Sequence, residues 1–380
     1  VIIGRVAERI EQIIADDPSH PSLPILIALY GMYRPLYGLD PGRTHIIIKQ
    51  SWPAALSSLI RVQLLEPNKE EELRATVLTI TPVRDDLSLQ VRAMYEENPY
   101  PRWTKPFRAP GQSTVQQITA ALGGQPQSNP AFTEAPEVLI AGCGTGRQSI
   151  YAASRYENAN ILAVDITHRS LVYAIRKSKE LGYNAIDYRH GDILELASLN
   201  RRFHVIECAG VLHHMQNPLA AWKILADKLY PGGLMMVALY SRISHRRVIM
   251  AREYIAEKGY QPTAPDIRRF RQDILNLPDD HPLAAIKWLW PDFYNTSECR
   301  DLFFHVQAHR YTLPEIQAML ADLGLRFLTF TAPNPAYRAR FPNDQSMTSL
   351  DNWDIFEQEN PDMFSKMYQF WTQKAGNASN

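Results

Sequence analysis

Cysteine is scarce and dispersed: Cys143, Cys208 and Cys299 stand far apart in 380 residues, with no Cys-x-x-Cys pair. That spacing excludes a disulfide framework and a zinc knuckle, and it fits a reducing, cytoplasmic setting. An excess of charge is missing as well. Lys plus Arg and Asp plus Glu each number 40, so the chain lacks the basic surplus with which a nucleic-acid binder neutralises phosphates. No nucleic-acid partner is expected. Long apolar runs are also absent. The most apolar stretch, Leu23 to Tyr33, contains Pro24 and is closed by Arg34, well short of the roughly 20 residues of a membrane span. A soluble chain with no membrane partner is the expectation. No signal-peptide pattern follows Val1, which leaves the natural start open upstream.

What is present is organised by periodicity. Up to about Glu97 the pattern is helical: Ile3, Val6, Ile10 and Ile13 recur at spacings of three and four until Asp16-Asp17-Pro18 breaks the run. Further helices are predicted around residues 23–37, 51–65 and 69–81, with no repeat period clear enough for a solenoid. Residues 98–136 are rich in Pro, Gly, Gln and Ser and read as a linker around one short helix. Strands and helices then alternate: strands at 138–141, 161–164, 185–189, 204–208 and 234–240, helices at 147–154, 169–181 and 218–229. Short apolar strands alternating with helices predict a buried parallel sheet. The alternation stops after Tyr240 for about 70 residues of helical, aromatic-rich sequence. It resumes with a helix at 313–323, a strand at 325–331, a helix at 350–358 and a strand at 367–372.

Chemistry concentrates at the first of these strands. Glu137-Val-Leu-Ile-Ala-Gly142-Cys-Gly144-Thr-Gly146 is a strand running into a glycine-rich turn before a helix, the end of the sheet where such folds bind ligands. A dinucleotide site wants Gly-x-Gly-x-x-Gly, with pyrophosphate over the helix N-terminus. Arg147 stands at that last position. The Gly-x-Gly-x-Gly spacing suits a ligand without phosphate, although a tight loop without a ligand would look similar. The second strand ends in Asp165, where a carboxylate can accept from two ribose hydroxyls; a solvated strand-end Asp is the plain alternative. After the third strand, His190-Gly191-Asp192-Ile193 places an acceptor for an adenine amino group beside an apolar side chain, or is simply a turn.

The three elements in this order resemble the class I methyltransferases that use S-adenosylmethionine, over residues 137–240 and again 313–371. Val205-Ile-Glu-Cys-Ala-Gly-Val-Leu-His213-His214-Met215-x-x-Pro218 is similar to the family's fourth strand and following loop, and Leu229-Tyr-Pro-Gly-Gly-Leu234 to the turn before its fifth. The resemblance implies S-adenosylmethionine as cofactor and a Rossmann-like seven-stranded methyltransferase sheet of the α/β class, with a helical N-terminal module and a helical insertion after the fifth strand. It implies that Gly142, Gly144 and Gly146, with Cys143, hold the methionine end. Asp165 with Ile166 would hold the ribose, Asp192 with Ile193 the adenine, and Ala209 would stand at the end of the fourth strand. Tyr95-Glu-Glu-Asn-Pro-Tyr-Pro-Arg-Trp103, Asp292-Phe-Tyr-x-Thr-Ser-Glu-Cys-Arg-Asp301 and Thr312-Leu-Pro-Glu-Ile316 look like signatures of a bacterial methyltransferase group often joined to tetratricopeptide repeats. An upstream repeat region is therefore a further expectation, although no repeat is recognisable before Asp85.

The expected division is 1–97 helical module, 98–136 linker and cofactor-covering segment, 137–240 cofactor half of the core, 241–310 lid or substrate insertion, and 311–380 the remainder of the core. Tyr95 and Arg102 are the covering residues expected to reach the cofactor. Asn98-Pro99-Tyr100 matches half of an Asn-Pro-Pro-Tyr motif, but that motif must follow the fourth strand, so methylation of bases or amides is discounted. His213 and His214 stand near the expected acceptor and could take a proton from a hydroxyl or thiol, with Tyr294 as a third catalytic candidate. Trp288, Trp290 and Tyr294 are the aromatics expected to wall an acceptor cavity. His305 and His309 lie four apart but lack a third ligand, so no metal is expected. Arg246, Arg247, Arg268, Arg269 and Arg271 read as a solvated face more readily than as an anion site. The expected activity is methyl transfer to an O, S or C atom of a small molecule. The alternatives are a protein methyltransferase docking a polypeptide on its N-terminal helices, or a non-catalytic cofactor-binding subunit.

Overall fold

The computed structural model describes residues 2–104 and 134–376. Most of the linker read at 98–136, including its short helix, lies outside the described residues. The chain divides into two compact units, the first ending at Thr76 and the second starting at Val77.

In the first unit, α1 (Ile2–Asp16), α2 (Leu23–Tyr33), α3 (Pro41–Lys49), α4 (Ala54–Ile60) and α5 (Glu66–Arg74) follow one another. Ile10, Ile13 and Ile14 of α1 share one core with Ile27, Tyr30, Ile47 and Ile60, so the three-and-four spacing of isoleucines marks the buried stripe. The sequence pattern missed α3. It starts behind Asp40, whose carboxylate accepts the Arg43 amide at 3.1 Å, with Pro41 in the first turn, a cap strong enough to seat a short helix. The helix predicted at 69–81 stops at Arg74.

The second unit is built on a seven-stranded sheet in the order β3-β2-β1-β4-β5-β7-β6. β1 (Glu137–Ala141), β2 (Asn160–Asp165), β3 (Asp187–His190), β4 (Phe203–Ala209) and β5 (Leu229–Leu239) run parallel, while β7 (Tyr368–Lys374) is antiparallel to both β5 and β6 (Leu325–Phe330). The short apolar strands are buried on both faces, as the alternation with helices required. α6 (Asp86–Glu97), α7 (Arg147–Arg155), α8 (His168–Glu180), α9 (Pro218–Asp227), α13 (Leu313–Asp322) and α14 (Leu350–Glu359) surround it. Ile206, Cys208, Met235, Val237 and Leu239 form one core with Trp222, Trp353 and Phe370.

Three differences from the sequence pattern have physical causes. β5 starts at Leu229 rather than 234, because Pro231-Gly232-Gly233 is absorbed as an irregularity in the register with β4, a bulge that Gly232 permits with φ 75°. Residues 78–81 are not helical: Thr79 forms a parallel bridge to His190, whose amide donates to Leu78 O at 3.0 Å and whose carbonyl accepts the Ile80 amide at 2.8 Å, so the segment covers the edge strand β3. Finally, α6 belongs to the unit that starts at Val77, although the pattern grouped residues up to 97 as one helical module. Asp85 caps it through the Ser88 amide at 2.8 Å.

The insertion between β5 and Tyr311 contains α10 (Arg246–Lys258), α11 (Ala264–Asn276) and α12 (Thr296–Phe304). It has its own core, in which Phe270, Phe293, Phe303 and Trp290 pack with Val248 and Ile267.

Candidate active site

A cavity of about 720 Å³ opens at the carboxyl ends of β1, β2, β4 and β5, within the range of small-molecule sites. Its floor is the glycine turn. Gly142 and Gly144 have φ of 73° and 50°, and a Cβ on Gly142 would stand 2.3 Å from Val211. The turn is tied to β2 by the Gly142 and Cys143 amides, which donate to Val164 O at 2.8 and 2.9 Å. Gly146 does something different: it does not line the cavity but packs under α8, where a Cβ would meet Ala174 at 2.6 Å. It is the close-packing glycine of the motif.

Asp165, Ile166, Asp192, Ile193, Cys143 and Ala209 all line the cavity. Asp165 accepts from the Gly144 amide at 2.8 Å and from the Thr167 amide at 2.9 Å and hydroxyl at 2.5 Å. Burial pushes its carboxyl up, and the Thr167 and Gly144 hydrogen bonds pull it back. Asp192 is almost fully buried; Oδ1 accepts the Leu194 amide at 3.0 Å, while Oδ2 has no hydrogen-bond partner among the described residues. A buried acceptor without a donor is costly, and Ser88, which also lines the cavity, is the side chain that acts on this carboxyl. The Asp192 main chain is held by a residue the sequence pattern missed: Thr81 Oγ1 accepts the Asp192 amide at 2.8 Å. Thr81 was hidden because its segment read as helix.

The covering segment is pinned across the glycine turn. The Thr145 hydroxyl donates to Pro101 O at 2.5 Å, and Trp103 Nε1 donates to Thr145 O at 3.2 Å. Tyr95, Tyr100 and Pro101 therefore line the cavity, whereas Arg102 does not; its guanidinium stands over the Tyr173 ring, 5.7 Å from the centroid. The insertion meets this segment from the other side. The Tyr95 hydroxyl donates to Asp301 Oδ1 at 2.6 Å, and Arg300 pairs with Glu97 at 2.7 Å.

The aromatics expected to wall the cavity do not. Trp288 is 77 % exposed; Tyr294 is 51 % exposed and packs edge-on against Phe293. Trp290 is buried in the insertion core and donates to Ser365 O at 2.8 Å. These rings stand before α12, and the residue that the insertion brings to the cavity is Asp301 on α12. Tyr294 thus does not line the cavity. His213 is fully buried, its ring 3.9 Å from that of Tyr240, and neither nitrogen is hydrogen-bonded among the described residues. His214 does line the cavity; Nδ1 donates to Gln307 O at 2.6 Å, which leaves Nε2 as an acceptor. Burial holds its pKa down to about 4, so it is a weak base. His305 stacks on His214 at 3.6 Å, while His309 faces Met215 O, so the two do not converge. Arg246 and Arg247 are paired with Asp362 at 2.7 and 2.9 Å.

Comparison with known proteins agrees with this geometry. Residues 138–233 match the family described as a methyltransferase domain, so this part of the chain is a class I, S-adenosylmethionine-dependent methyltransferase domain. The chain is 28 % identical to an uncharacterized protein of Synechococcus, over 65 % of this chain and 61 % of that one. It is 32 % identical to a ubiquinone biosynthesis O-methyltransferase of Cereibacter sphaeroides, over 34 % of this chain and 50 % of that one. It thus spans between half and two thirds of the length of these relatives. Among solved structures, PKMT2 from Rickettsia typhi in complex with AdoHcy superposes with a TM-score of 0.53 at 15 % identity, over 73 % of this chain and 55 % of that one, a likeness of fold.

Proposed function

We propose that the protein transfers the methyl group of S-adenosylmethionine to an O, S or C atom of a small molecule. The carrying observation is one continuous cavity with an adenine-type acceptor, Asp192 Oδ2, at one end and a wall of Tyr100, Tyr240, Met215, Met367 and Asp301 at the other. The residues present fit the cofactor. Asp192 would take the adenine amino group. A carboxylate has about four lone-pair sites, so Asp165, which accepts three hydrogen bonds, can still accept from a ribose hydroxyl. The methionine end would lie on the Gly142–Gly144 turn beneath Tyr95. Methyl transfer from a sulfonium needs alignment and exclusion of water more than activation, and the pinned covering segment supplies both. The match to O-methyltransferases of ubiquinone biosynthesis supports a small acceptor.

Incubation of the protein with methyl-labelled S-adenosylmethionine and lysate fractions, followed by mass spectrometry, tests the reading. Label in small molecules is the expected outcome. Label on polypeptides would replace it with protein methylation, and label nowhere, despite bound cofactor, would leave a binding subunit.

A further inference from the structure

Asp301 is the acidic group at the acceptor end of the cavity, and the sequence pattern gave it no role. It sits on α12 in the insertion, 7 % exposed, and lines the cavity. Tyr95 holds Oδ1 at 2.6 Å, while Oδ2 accepts no hydrogen bond among the described residues. Its sequence neighbour Arg300 is turned away to Glu97, and no ion pair is made to Asp301 among the described residues. The groups facing it are Tyr95 from α6, Tyr100 from the covering segment, Tyr240 beyond β5, Asp292 before α12, and Glu298 on α12 itself. None of these is a cation; Arg252 and Arg310 act on the neighbouring Tyr240, and neither makes an ion pair to Asp301 among the described residues. A carboxylate kept in a low-dielectric cavity without a counterion, with one oxygen fixed and the other open, is arranged to take up a proton.

We infer that Asp301 is the general base of this site and that the acceptor is a phenolic hydroxyl. The inference rests on the methyl-transfer reading. In the reaction the acceptor O–H proton passes to Asp301 Oδ2 as the oxygen attacks the methyl carbon. The carbon–sulfur bond breaks, and its electron pair stays on sulfur, leaving the neutral thioether S-adenosylhomocysteine. Tyr95 acts through Asp301 as a positioning residue. Burial, with Asp292 and Glu298 adding to it and the Tyr95 hydrogen bond opposing it, pushes the Asp301 carboxyl up to about 7. A base of that strength suits a phenol, which ionises near 10, and not an aliphatic alcohol, whose O–H is closer in acidity to water near 15.7. The surrounding Tyr100, Tyr240, Met215 and Met367 offer rings and thioethers for a planar aromatic acceptor.

The test uses purified protein, S-adenosylmethionine, and catechol, phenol, 4-nitrophenol, cyclohexanol and benzylamine as probe acceptors between pH 5 and 9, with S-adenosylhomocysteine binding measured in parallel by calorimetry. Wild-type kcat/KM toward catechol or phenol should rise with pH and level off above about 7. Asp301→Asn should lose about 10²–10⁴-fold together with the pH limb while still binding S-adenosylhomocysteine. That loss should shrink toward 4-nitrophenol, which ionises unaided near neutrality. Tyr95→Phe, lacking the donor that stabilises the carboxylate, should move the limb to higher pH, which a purely structural tyrosine would not do. Retention of rate and pH limb in Asp301→Asn, or methylation of cyclohexanol or benzylamine but of no phenol, or of no probe at all by protein that binds S-adenosylhomocysteine, overturns the inference. Failure to bind S-adenosylhomocysteine strikes the methyl-transfer reading itself, and this inference falls with it.

Discussion

Asp165 is half-buried and Asp301 buried, and their hydrogen-bond partners set the two carboxylates apart. Asp165 is held by three donors and remains an acceptor. Asp165→Ala should weaken S-adenosylhomocysteine binding by about 1–3 kcal/mol, the cost of buried partners left unsatisfied, read by calorimetry; an unchanged affinity would mean that the ribose is held elsewhere. Asp301 has a single donor and a pKa raised to about 7, and that carries a sign. As pH rises above about 4, an unfolded aspartate ionises while the folded one stays protonated, so folding stability falls through the window from about 4 to about 7 and is level beyond it. The gap of about three pH units caps the effect at about 4 kcal/mol. Chemical denaturation across pH should show wild type losing stability in that window relative to Asp301→Asn; parallel profiles would show that the carboxyl is not raised.

At the scale of elements, the insertion is a small core that carries one residue into the cavity. Phe270 lies at its centre, with the rings of Phe303 and Phe304 at 5.5 and 5.6 Å. Phe270→Ala should cost about 3–5 kcal/mol. Because α12 rests on that core, the variant should lose methyl transfer more than S-adenosylhomocysteine binding. Trp288→Ala, at an exposed position, should shift stability by less than about 0.5 kcal/mol. Denaturation curves and turnover of the two variants side by side check the contrast, and similar effects of both would place the core elsewhere.

At the scale of the whole molecule, a ligand that selects the folded state adds stability by mass action. S-adenosylhomocysteine at 100 times its Kd should contribute about 2.7 kcal/mol, visible as a raised Tm. NAD should give no shift, because Arg147 occupies the position where the dinucleotide motif needs its third small residue. A shift with NAD alone would reverse the assignment.

Period and punctuation in the chain were enough to determine the strands to within a few residues and the strand-end residues Gly142, Asp165 and Asp192 that line one cavity. Each of those features is local: an apolar strand, the glycines or acid that end it, and the helix that follows. Gly142, Asp165 and Asp192 could be found because each sits at the end of its own strand. The wall that Tyr95 and Asp301 make was decided only by tertiary structure. Tyr95 and Asp301 are 206 positions apart and meet only because the insertion and the covering segment close on one cavity. α12 brings Asp301 to the cavity, while Trp288 and Tyr294, on the short turns before it, stay exposed. Residues 78–81 read as helix because their pairing with β3, a bridge at Thr79 that brings Thr81 to Asp192, involves a strand more than 100 residues away. Such long-range pairing overrides local propensity and leaves no trace in it.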